Sequence, residues 1–290
     1  MGPFDFEQWS SDPIKPILPS NCPLLGRFLG AFHRGFAILK RMKFVAISDV
    51  HIKEKGDDSY HLFLQFLRHP LTQQSDKIFL LGDIFDLLVG GHLEYYKRFE
   101  SLFDEIVSLI KSGKKVIQLE GNHDFHFVDL IYFIKNKHQL KDEDWLYSTE
   151  PVFLNSEGIM LAHGDEIEIE NPKYQQYRSL IRSDFINLLA NTLVPFRIVD
   201  KIGRRASEKS REVNSNRYDG HSDNEKVKER FRRMFKELQV EHQLKNLVCG
   251  HSHCADFFET DDGIYVNNGY FPKTRLFTYY ENGCLMQKEL

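Results

Sequence analysis

The chain reads as an α/β fold in which β-strands are sandwiched by helices and a helical insertion interrupts the later strands. Three observations predict it. Apolar, strand-like runs alternate with helical patterns from Lys43 onward, and short polar signatures follow five of those runs. A long charged stretch over about 172–243 then breaks the alternation before strands resume.

In order, the first strand is expected in KFVAIS (43–48), followed by a helix over Tyr60 to Leu67. KIFLL (77–81) precedes a helical pattern over Leu93 to Ile110, and KVIQL (115–119) one over Phe127 to Ile134. GIMLAH (158–163) is the last run before the insertion. The strand-like course returns with NLVCG, ADFFE, GIYVN, RLFTYY and CLMQKEL, ending at Leu290. A chain of 290 residues supports one large α/β domain with a cap, expected over 42–290 with the insertion at about 172–243.

Residues 1–41 differ from the rest and are expected to form an extension. Pro3, Pro13, Pro16, Pro19 and Pro23 precede an apolar stretch, Leu24 to Leu39, in which Leu25, Phe28, Leu29, Phe32, Phe36 and Leu39 fall at helical spacing. Between Pro13 and Ser48 there are six lysines and arginines and no acidic residue. This basic amphipathic helix either packs on the domain surface or lies on anionic lipid, giving peripheral contact with the inner membrane. The first twenty residues lack the apolar core of a secretory leader, so a cytoplasmic protein is expected, with Met42 a candidate alternative start.

Composition narrows the function classes. The 41% hydrophobic and 28% charged content is ordinary for a soluble protein, and no run approaches the roughly 18 apolar residues of a membrane span. A net charge of −4 argues against a general polyanion binder, so no nucleic-acid partner is expected and any anionic ligand is met locally. Cys22, Cys249, Cys254 and Cys284 lack paired spacing and read as reduced thiols. Oligomeric state is left open.

The signatures after the strands are D-V-H (Asp49, His51), G-D-I-F-D (Asp83, Asp86), G-N-H-D (Asn122, His123, Asp124), H-G-D (His163, Asp165) and G-H-S-H (His251, His253). Ligands in α/β sheets gather beyond the carboxyl ends of strands. Carboxylate, imidazole and amide donors without thiolate suit Mn²⁺, Fe or Zn²⁺ in a hydrolytic site. Residues two apart in D-V-H and G-H-S-H are expected to share one side of an extended strand end, while the glycines let the backbone approach a ligand.

Together these motifs resemble the calcineurin-like metallophosphoesterase family across Lys43 to Leu290. The resemblance implies a four-layer α/β/β/α sandwich with two divalent metal ions, Mn²⁺ first, with Fe or Zn²⁺ also suited. It puts Asp49, His51 and His253 on one ion, Asn122, His163 and His251 on the other, and Asp83 between them. Two such ions about 3.5–4 Å apart can share a water, lower its pKa and clamp the oxygens of an in-line displacement. His123 is then the proton donor, with Asp124 expected to fix its tautomer and keep it protonated.

Two stretches of the insertion, ENPKYQQYR (170–178) and SREVNSNR (210–217), resemble the cap of the UDP-2,3-diacylglucosamine diphosphatases of the lipid A pathway. The likeness implies a lid in which Asn171, Tyr174, Arg178, Ser210, Asn214 and Arg217 hold a diphosphate and sugar. Apolar positions such as Phe185, Ile186, Leu188, Leu189, Leu193 and Phe196 would admit acyl chains or pack the cap on the domain. That subgroup usually carries arginine at position 123, aspartate at 171 and lysine at 217. The expected substrate is a phosphorylated small molecule or lipid, with UDP-2,3-diacylglucosamine cleaved to UMP and a lipid monophosphate. The alternatives are a phosphomonoesterase or cyclic-nucleotide phosphodiesterase on the same metals, and a non-catalytic scaffold.

Overall fold

Strand β1 (Phe44–Ile47) has all four side chains buried, as a continuous FVAI run must when it lies inside a sheet covered on both faces. The computed structural model describes residues 42–213 and 224–290, apart from the side chains of Leu193 and residues 206–213. The expected N-terminal helix lies outside the described residues.

The first sheet orders β13 (Cys284–Glu289), β12 (Leu276–Glu281), β1, β2 (Lys77–Leu81), β4 (Lys115–Leu119) and β6 (Trp145–Ser148). Its β1–β2–β4–β6 side is parallel and its β1–β12–β13 side antiparallel. Val45 and Ile47 of β1 join Ile78, Leu80 and Val116 in a cluster with helices α1 (Asp58–Arg68), α3 (Leu93–Lys111) and α4 (Val128–His138). Full burial of each such aromatic as Phe63 or Phe103 stabilises by about 1.5–3 kcal/mol. Helix α1 begins two residues before the expected Tyr60 because the Asp57 carboxylate accepts from the Tyr60 N–H at 2.6 Å and caps it. Short helix α2 (Pro70–Gln74) follows.

The second sheet orders β10 (Asp256–Thr260), β11 (Gly263–Asn267), β9 (Asn246–Cys249), β8 (Ile159–Leu161) and β7 (Val152–Leu154). Helix α8 (Glu225–His242) covers it, placing Phe231 and Phe235 against Met160, Leu247 and Tyr265. The fold is thus the expected α/β sandwich. Between β8 and β9 runs the expected helical insertion: α5 (Pro172–Ile181), α6 (Asp184–Leu188), a wide turn over Leu189–Leu193, α7 (Phe196–Val213) and α8. β3 (Leu88–Val89) and β5 (Asp124–Phe125) pair in parallel beside the motif loops, and α9 (Phe271–Thr274) precedes β12. These short pieces, with β6, β7 and α2, carry too little periodicity to be read from sequence.

Candidate metal centre

Every signature starts within two residues of a strand end: Asp49 after β1, Gly82 after β2, Gly121 after β4, His163 after β8 and Gly250 after β9. The local backbone corrects one expectation. Asp49 (φ 53°), His51 (52°), Asp83 (53°), His251 (66°) and His253 (57°) are left-handed, so the side chains converge through alternating backbone turns and not through an extended strand. Such conformations cost a non-glycine residue about 1–3 kcal/mol and persist where the surroundings enforce them. Three of the other five such residues among those described, Gln139, Gln243 and Arg275, merely end helices, whereas the signatures hold five. Gly121 and Gly250 make the closure possible. A Cβ at the first would collide with Asp83, and at the second with Asp49 and Ser48.

The loops bring the seven expected ligand positions together. Ligand atoms of Asp49, His51, Asp83 and His253, all buried, lie within 4.8 Å of one another. His51 Nε2 is 3.2 Å from His253 Nε2, which is 3.2 Å from Asp49 Oδ1. Across Asp83, the Asn122 Oδ1 is 3.2 Å from His163 Nε2 and 3.1 Å from His251 Nδ1. Asp83 Oδ2 is 3.6 Å from His51 Nε2 and 3.7 Å from His163 Nε2, so it faces both groups.

Proton placement shows that these donors fit cations. His163 Nδ1 is 2.8 Å from the Leu81 carbonyl oxygen and His251 Nε2 is 2.8 Å from Glu168 Oε2. Both partners are acceptors, so those nitrogens carry the protons, and in the neutral rings the lone pairs on His163 Nε2 and His251 Nδ1 point at an amide oxygen. Three acceptor atoms converging without a proton between them suit a shared cation. Burial pushes Asp83 well above the usual carboxylate range and pushes the His51 imidazole down to about 3. Burial also acts to raise Asp49, but the hydrogen bond and charge of His253 outweigh it and hold the carboxyl low. The cluster is short of positive charge, which divalent ions supply.

His123 sits at the rim of this cluster, its ring 4.8 Å from that of His51. Its Nδ1 is 3.0 Å from the Asp86 carbonyl oxygen and donates to it. The expected His123–Asp124 pairing is corrected: Asp124 accepts from the backbone N–H groups of Asp83, Ile84, Phe85 and Gly121 at 2.7–3.2 Å. It organises two motif loops and does not touch the imidazole. Burial pushes Asp124 up to about 7 against those four donors.

Of the expected lid residues, Tyr174 reaches the centre, its ring 4.9 Å from that of His251, with the buried hydroxyl unpaired. Arg178 is bonded to Asp165 at 3.1 Å, and Asn171 caps α5 through the Tyr174 N–H at 3.2 Å. Ser210 lies on α7 with its side chain outside the description, and Asn214 and Arg217 lie outside the described residues. Phe196 packs on Tyr95 at 5.0 Å, while Phe185 and Leu188 are exposed. Sequence reasoning missed Glu168, and it missed Arg182, whose guanidinium contacts Glu120 and Asp165. Charged residues in and beside a charged insertion give no sign of which one turns inward.

A layered α/β sandwich with carboxylates and imidazoles gathered at its strand ends defines a class: hydrolases that act on phosphoric esters with the help of metal ions. Residues 42–255 match the family model described as calcineurin-like phosphoesterase, and the chain belongs to that family. A UDP-2,3-diacylglucosamine hydrolase of Psychromonas ingrahamii is 27% identical over 73% of this chain and 81% of its own length. The enzyme of that name in Coxiella burnetii is 27% identical over 71% and 79%. A solved archaeal phosphodiesterase is 13% identical, covering 86% of this chain and all of its own, with a TM-score of 0.43. Among the described residues no helix is long and apolar enough to cross a membrane.

Proposed function

We propose that the chain cleaves the pyrophosphate of a nucleotide-linked lipid of the UDP-2,3-diacylglucosamine type, giving UMP and a lipid monophosphate. The observation that carries the reading is a buried set of proton-free acceptors beneath cap helix α5, whose Tyr174 lies over His251. The names of the relatives support the substrate class, as do the exposed Tyr177, Leu180, Phe185 and Leu188 of α5 and α6.

Asp49, His51 and His253 would hold one divalent ion and Asn122, His163 and His251 the other, with Asp83 between, Mn²⁺ being the first candidate. Bound there, the ions supply Lewis-acid charge and activate a water for in-line attack on phosphorus. His123, anchored through Nδ1 on the Asp86 carbonyl, presents Nε2 to the leaving oxygen and gives it a proton. Asp124 keeps the Asp83 and Asn122 loops in register. Tyr174 and Arg178 would line the diphosphate path, with Asn171 setting the start of α5. Ser210, Asn214 and Arg217 would complete the lid, and residues 1–41 would form a separate basic extension resting on anionic membrane, outside the domain at 42–290.

A second reading, a phosphomonoesterase or cyclic-nucleotide phosphodiesterase, is favoured by Arg178 and Asn171 already being engaged within the chain. Purified protein loaded with Mn²⁺ and given the nucleotide lipid, an aryl phosphate and a cyclic nucleotide separates the two. UMP release from the lipid is expected to dominate; turnover of only the small esters sinks the lipid reading. In the same assay His123→Asn is expected to lower kcat by about 10²–10⁴-fold, the worth of a positioned proton donor, with metal content unchanged.

A further inference from the structure

The candidate histidine ligands differ in what holds the ring nitrogen turned away from the cluster. His163 rests on a main-chain oxygen, Leu81 of β2, which no side-chain change removes. His51 Nδ1 lies 3.6 Å from the Asp86 carboxylate, on the same loop system as Asp83. His251 depends on a residue from elsewhere. Its Nε2 is 2.8 Å from Glu168 Oε2, a buried carboxylate in the link between H-G-D and α5. The other oxygen of Glu168 accepts from Arg230 Nη2 of α8 at 2.6 Å.

We infer that Glu168 is a positioning residue for His251, holding the proton on Nε2 so that Nδ1 faces Asn122, and that Arg230 ties this half of the centre to cap helix α8. A carboxylate behind a ligating imidazole fixes the tautomer and the ring plane and makes the facing nitrogen a better donor. A buried carboxylate needs an opposite charge, and Arg230 supplies it with a short, charge-assisted bond. The link cannot drift. Gln175 Nε2 donates to the Glu168 carbonyl at 2.9 Å and to that of Asp165 at 3.1 Å, and the Tyr174 ring covers the other side of His251. Glu168 lies outside all five signatures, so His251 depends on the insertion and the link before it, whereas His163 is held by the first sheet. The inference rests on the reading of His251 as a metal ligand.

The test is Mn²⁺ titration of the chelator-stripped full chain by calorimetry, with bound metal counted per chain. Wild type is expected to show two sites. Glu168→Ala is expected to weaken one of them by about 10–100-fold and spare the other. Glu168→Gln, whose amide oxygen still accepts from Nε2–H, is expected to restore most of that loss, and Arg230→Met to weaken the same site by less. Two unchanged sites in Glu168→Ala, or equal weakening of both, would overturn the inference. Should Glu168→Ala not fold, Arg230→Met decides in its place: selective weakening of one site supports the link and unchanged binding rejects it. A wild type that takes up no metal would instead remove the reading of the site itself.

Discussion

In the sandwich, the strands that deliver the signatures are walled in by apolar side chains, with Phe44, Val45, Ala46 and Ile47 wholly buried. In the cap, α5 and α6 bury only Ile181 and expose Tyr177, Leu180, Phe185 and Leu188. Charge does much of the holding in the cap, with Arg182 on Glu120 and Asp165, Arg230 on Glu168, Arg232 on Asp256 and Arg98 on Asp200, beside the packing of Phe231 and Phe235 of α8. Close packing fixes the ligand-bearing loops at strain-tolerant precision, because an interior near crystal density resists small displacements. Ion pairs hold the end of α5 at particular points while leaving the apolar side chains of α5 and α6 open. The candidate metal centre therefore sits on the rigid part, and under the proposed function substrate choice falls to α5 and α6.

The contrast breaks down if damage to one region spreads evenly to the other. The largest effect is expected from Asp83→Ala, which removes the carboxylate facing both halves of the centre. Activity should fall by more than about 10³-fold, beyond the loss of a single directed donor, and bound metal should drop with it. Proteolysis of the cap should be unaltered; a newly sensitive cap would show that the two regions are not separable. Next is Arg182→Met, which strands the buried Glu120 carboxylate without its cation and leaves Asp165 with Arg178 alone. Breaking such a pair costs about 3 kcal/mol, to be read as a lower denaturation midpoint with α5 the first segment to lose amide protection. Burial presses the Arg182 pKa downward, but Asp165 and Glu120 outweigh it and raise it, so the variant's loss should persist at alkaline pH.

Much of this was legible in advance where a pattern spans a whole element. The runs at 77–81 and 115–119 are strands because the four apolar or amide side chains after each leading lysine are buried, and Leu93 to Ile110 is helical because its apolar residues recur on one face. The signatures could be read for the same reason, being tied to strand ends. The left-handed backbone at Asp49 and His251 could not, since it is imposed by the neighbouring loops, and His and Asp have no local cause to adopt it. Asp124 was misassigned because adjacency in sequence suggested a partner, whereas four backbone N–H groups from two loops offered it more bonds than one imidazole. Glu168 and Arg182 were hidden because His251 and Glu120, which they contact, lie 83 and 62 residues away in the chain.

The smallest expected effect tests whether charge alone docks α7. Asp200 takes a 2.8 Å bond from Arg98 of α3 and a 3.1 Å bond from Arg204 one turn along its own helix. Partial burial acts to raise the Asp200 carboxyl, but these two guanidinium groups outweigh it and bring it below its ordinary value of 3.8. A depressed carboxylate stabilises the fold at pH above that ordinary value, and its contribution fades as pH falls through the lower, folded-state value. Arg98 also lies over the rings of Tyr95 and Phe196, at 5.5 and 5.3 Å, and that contact does not titrate. Wild type should therefore exceed Asp200→Asn in denaturation midpoint at pH about 6, and the gap should close as pH drops below about 4. A gap that stays constant over this range would mean that α7 is held by the aromatic contact and the shape of the Asp200 side chain, and the distinction between a packed sandwich and a charge-docked cap would fail at that helix.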